Sequence, residues 1–218
     1  TVTLNADDDI TVTAAVVASE LITVSAGEDG SGSFILGAAG SLETTDSGSD
    51  ITVTTGSTSG DITLVGTTTA LDLVTMTTAS GSINGSGLVT SDTVDLNASS
   101  GIGNTTGITL SASNISADTT VGDVEIANSL GTAVSVSSLT TGTGSVSFSQ
   151  SGGGDVSTSS VFASVAVALS NAAGSLSLAG TVIGDSLNAT ATGAITDGSD
   201  GDLAIAGLAE FTADSLEL

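Results

Sequence analysis

The feature that most constrains this chain is a beat: a pair of apolar residues straddling one other residue, recurring about every ten to twelve positions. The stretch from Gly122 to Gly154 shows it plainly, with Val124 and Ile126, then Val134 and Val136, then Val146 and Phe148. Each pair is introduced by Gly and a small or polar residue, as in Gly122-Asp123, Gly131-Thr132 and Gly144-Ser145. Spacing two places both side chains of a pair on one face of a strand, and the Gly-polar tokens supply the turns between strands. From Asp46 to Gly66 the device repeats almost verbatim, with Asp50-Ile51-Thr52-Val53 answered by Asp61-Ile62-Thr63-Leu64. Helical spacing is nearly absent, and Thr, Ser and Gly disfavour helix.

Two or three such strands make one coil, so a coil takes roughly 20 to 30 residues and the 218-residue chain seven to eleven coils. The expected fold is a right-handed parallel β-helix, a β-solenoid, running as one continuous segment over residues 1–218. An antiparallel sandwich also uses many short strands with Gly turns. Against it, hairpin dipeptides are scarce: Asn84-Gly85 is the one Asn-Gly pair. Disorder is rejected because the chain is full of Val, Ile and Thr and its mean hydropathy is positive, +0.46.

Composition narrows function. There is no Lys, Arg, His, Cys, Pro, Trp or Tyr, and 24 acidic residues leave a formal charge of −24. Direct binding of nucleic acid is excluded, because phosphate contacts need Lys or Arg. Anionic lipid is disfavoured on the same ground. The longest apolar run, Val161 to Leu169, is far too short for a membrane span. The chain begins at Thr1 and shows no signal peptide, which reads as an excerpt of a longer secreted polypeptide.

Catalysis lacks its parts. Serine nucleophiles have no His or Lys base, and no cation accompanies the carboxylates that sugar chemistry would use. Not an enzyme is the expectation. Calcium is the cofactor that some loops would take: Asp197, Asp200 and Asp202 offer three carboxylates in a Gly-rich turn, with Asp46 to Asp50 and Asp7-Asp8-Asp9 as poorer versions. The plainer alternative is that these are solvated turn carboxylates keeping a rod soluble. Thr-x-Thr pairs such as Thr52-Val-Thr54 and Thr75-Met-Thr77 resemble the rows of ice-binding surfaces, but their irregular intervals predict that they do not stack as a ladder.

The passages Gly81 to Asn104, Leu139 to Val156 and Gly193 to Leu218 resemble the degenerate repeats of filamentous haemagglutinin-like proteins, giant bacterial adhesins of the two-partner secretion type. That resemblance implies a right-handed β-helix, an extracellular or cell-surface location, and a role as structural shaft or adhesive stalk. The expected function is a non-catalytic fibre segment, with a ligand- or calcium-binding adhesin module as the alternative. Expected partners are flanking coils of the same chain or end-to-end stacked copies, and beyond them other cells or surfaces.

Overall fold

The structure, a computed structural model, describes residues 1–198 and 201–218. Among these residues it has 24 strands and no helix, and each strand pairing runs parallel. The chain is a β-solenoid of about 10 turns with about 21 residues per turn. At a strand spacing of about 4.8 Å, ten stacked turns make a rod roughly 45 to 50 Å long.

Alternation in the sequence becomes rows in the core. On the first sheet Leu4, Val24, Val53, Met76 and Leu96 stack in register, and the row continues through Ala117, Leu139, Val161 and Val182 to Leu203. On the second sheet a parallel row runs from Ile10 through Phe34, Ile62, Ile83 and Ile102 to Val124, Val146, Val167, Leu187 and Ala209. From Val24 to Val182 on the first row, and from Phe34 to Leu187 on the second, every member is buried. One-residue spacing between inward side chains therefore builds a narrow aliphatic column in which each residue packs on its equivalent above and below.

The ten-residue beat is half a coil. Asp50–Thr55 belongs to the first sheet and Ile62–Leu64 to the second, so the two near-identical tokens face one another across the core. Ile51 stacks on Ile22 and Val74, whereas Ile62 stacks on Phe34 and Ile83.

Glycine at the corners permits this stacking. A Cβ on Gly60 would be driven into the carbonyl oxygen of Gly32, one on Gly81 into that of Gly60, and one on Gly144 into that of Gly122. A second corner repeats the device with Gly40, Gly66 and Gly87. The residue after the corner Gly then links coils. Ser33 donates its N–H to Asp9 Oδ1 at 2.7 Å, Ser82 to Asp61 Oδ1 at 2.8 Å, and Ser145 to Asp123 Oδ1 at 2.8 Å. Ser175 does the same to Asp155 Oδ1 at 2.8 Å. The side chain supplies an acceptor where the turn interrupts the ladder. Threonines finish the corner: half-buried Thr55 and buried Thr78 donate to Gly60 O at 2.9 and 2.5 Å, and buried Thr119 accepts the Gly101 N–H at 2.9 Å.

The cross-section changes midway. In the first half the third sheet carries the row Val16, Leu42, Thr68, Val89 and Leu110. Leu110 then aligns with Asn128, Gln150 and Asn171, which replace aliphatic packing with a buried amide ladder. Asn128 accepts the Ala112 N–H at 3.0 Å and donates to Ala112 O at 3.0 Å and to Gln150 Oε1 at 2.9 Å. Every buried amide group thereby gains a partner, the condition for burying it at all.

Gly81→Ala should destabilise the rod by roughly 2 kcal/mol or more, because its Cβ would strike the Gly60 backbone with no room to yield. Gly48→Ala has open space around the Cβ and meets only its φ of +73°, so it should cost about 1 to 2 kcal/mol. Denaturant melts of the two variants check the order; an equal or reversed loss would contradict the stacked-corner account.

Candidate functional site

Of the three carboxylates expected to take calcium, Asp197 and Asp202 are described, at the corner leading into the tenth turn. Asp197 ends the strand Ala194–Asp197, half-buried, in register with Leu178. Asp202 opens the strand Asp202–Ile205, exposed, in register with Thr181. Asp200 lies outside the described residues. Among the described residues no group of three or more His, Cys, Asp or Glu is placed to hold a metal. The poorer candidates are separated by the fold: Asp9 accepts the Ser33 N–H, while Asp50 sits on the first sheet between Leu21 and Leu73.

Several acidic residues that read as solvated turns are exposed and also serve as structural acceptors. Asp9, Asp61, Asp123 and Asp155 each bond a backbone N–H of the next coil. On the first sheet Asp95 accepts Ser116 Oγ–H at 2.6 Å, and Asp118 accepts Ser138 Oγ–H at 2.6 Å and the Thr140 hydroxyl. The Gly-Asp and Gly-Ser tokens carried the signal for the corner bonds; the partner lies about twenty residues away and only the coil length reveals it.

The Thr-x-Thr expectation is corrected for Thr52-Val-Thr54 and Thr75-Met-Thr77, which stack as pairs, whereas Thr11 and Thr190 lie on other strands. Thr3, Thr23, Thr52 and Thr75 stack in register on the outer face of the first sheet, with Thr54 and Thr77 stacked beside them. Unequal intervals do not break the column, because the extra residues are taken up in corners such as Gly27 to Gly32 and Gly56 to Gly60. The result is a patch of hydroxyls and methyls on a regular grid, about 4.8 Å apart between coils and about 6.8 Å apart along a strand. Farther along, the column beginning at Asn5 stays polar as far as Thr140 and then turns apolar at Phe162 and Ile183.

An open groove of about 360 Å³ lies over the second sheet, lined by Asp61, Thr63, Ser82, Asn84 and Thr106. Its one carboxylate is already engaged by Ser82, through the N–H and through Oγ–H at 3.0 Å. No helix of the described residues is long and apolar enough to cross a membrane. Comparisons with family models, with curated proteins and with solved structures find no match to this chain.

Folding gathers 24 like charges with no cation to offset them, so raised ionic strength should increase the melting temperature by screening. Since Asp9, Asp61, Asp123 and Asp155 are occupied by coil-to-coil bonds, those corners should give calcium no advantage, and calcium and sodium chloride melting curves should coincide at matched ionic strength. An excess with calcium that disappears in Asp197→Asn/Asp202→Asn would instead assign the ion to that corner.

Proposed function

We propose that this chain is a segment of an extracellular structural shaft or fibre, part of a bacterial surface filament or adhesin, and that it performs no catalysis. The observation that carries this reading is the continuity of the rod. The aliphatic rows of the first and second sheets pass through about ten parallel turns, and recurring corner bonds tie coil to coil. Such an arrangement transmits length and stiffness along one axis and presents polar side chains to solvent. Quasi-one-dimensional stacks of this type gain stability from each neighbouring coil, so length is added without redesign of the core.

The outermost coils support extension. Val2, Leu4 and Ile10 at one end, and Leu203, Ile205 and Phe211 at the other, are only partly buried. Their strands also present backbone groups that a further coil would pair. Flanking coils of a longer polypeptide, or stacked copies, are the partners that complete them. The bacterial and extracellular parts of the reading draw on the resemblance of Gly81 to Asn104, Leu139 to Val156 and Gly193 to Leu218 to filamentous haemagglutinin-like repeats.

Electron microscopy and fibre diffraction of the full-length native protein test the proposal. The expected result is a thin fibre on the cell surface with a repeat of about 4.7 to 4.9 Å along its axis. A compact particle, or a protein retained inside the cell, would overturn it.

A further inference from the structure

We propose that the outer face of the last three turns carries a docking strip for a cationic amphipathic segment of another protein. The strip is built on one outward column of the first sheet. Where earlier coils place Ser25, Thr54, Thr77 or Thr140, the column continues in register with Phe162, Ile183 and Ala204. Phe162 is 38 % exposed, whereas Phe34 and Phe148 are buried in the core. Packing does not require an aromatic ring here, since the same position in the preceding coils is filled by polar side chains, Thr77, Asn97, Asp118 and Thr140 among them.

The corner beside this column extends the apolar surface. Val165 and Leu208 are 50 % and 64 % exposed. They sit on the coils above and below Asp185: Val165 O accepts the Asp185 N–H at 2.8 Å, and Asp185 O accepts the Gly207 N–H at 2.8 Å. Apolar residues gathered on neighbouring coils mark an interaction surface, whereas an exposed apolar residue such as Val17, which stacks on Glu43, does not. An exposed aromatic such as Phe162 is the usual anchor of such a surface.

Charge selects the occupant. Asp185 lies within the apolar corner, and Asp202 stands on the neighbouring column two residues from Ala204; both are exposed. A second copy of this chain would bring no cation and a further 24 carboxylates to that rim. A partner with apolar side chains at its centre and Lys or Arg at its edges satisfies both requirements, and the acidic field of the rod would speed its approach. The strip is independent of whether the rod serves as a shaft.

Two synthetic peptides of equal length and charge test this, one alternating Lys with Leu and the other Lys with Ser, titrated by fluorescence anisotropy at physiological salt. The wild-type chain should bind the Leu peptide at least tenfold more tightly than the Ser peptide. Phe162→Thr/Ile183→Ser, which installs residue types that the column already uses, should bind both peptides alike while keeping the wild-type circular dichroism and melting temperature. Val165→Ser, a corner substitution outside the strands, should weaken the preference if the double variant does not fold. A wild-type chain with no preference, or folded variants that retain it, would overturn the proposal. So would a wild-type dimer in sedimentation equilibrium that the substitutions abolish, since that would give the strip to a second copy.

Discussion

Adjacent coils lie one strand spacing apart, about 4.8 Å, around the whole circumference of the rod, and the rest of the structure answers to that distance. Along the straight strands it is the ordinary hydrogen-bonding separation. At the corners it brings backbone onto backbone, where a side chain has nowhere to go. Gly32, Gly60 and Gly81 stand at one such contact, Gly40, Gly66 and Gly87 at another. Because the turn also breaks the ladder, the following Asp or Ser must replace the missing backbone acceptor, as Asp61 does for Ser82. Glycine and acid thus recur together for two linked reasons, close approach and hydrogen-bond completion.

The same spacing sets the character of the core. Like stacks on like over about ten turns, so a narrow interior is filled by Val, Ile, Leu and Ala with Met76 and two buried Phe, Phe34 and Phe148. Where the cross-section changes, Asn128 bonds Gln150, and Gln150 and Asn171 bond backbone at the turns, in place of apolar packing. A buried amide is costly alone and well accommodated in a stack, since each coil presents partners to the next. Removing one rung would therefore disturb its neighbours.

Function, on this architecture, resides in what the coils present outward. Each strand offers alternate positions that the fold leaves free, and most are spent on Thr, Ser, Asn and Asp. The hydroxyl grid around Thr52 and Thr75 and the apolar strip at Phe162 and Ile183 arise from the same geometry filled differently. A rod of this kind combines a uniform interior with a surface that can vary from turn to turn.

Much of the fold was legible because strand alternation and Gly-polar turns are local: Val124 and Ile126 reveal their inward face, and Gly122-Asp123 its turn, within five residues. The acidic composition and the lack of any base were equally plain in the chain itself. Stacking partners were not legible, since they lie some twenty or more residues apart and the interval varies. Thr23 meets Thr52 across a long interval and Thr75 meets Asp95 across a shorter one. The sequence by itself determined parallel strands, a narrow aliphatic core and glycine corners. Only the tertiary structure decided which beats share a face, which carboxylates are bound by the next coil, and which outward residues form a column, because register depends on how much chain each corner absorbs.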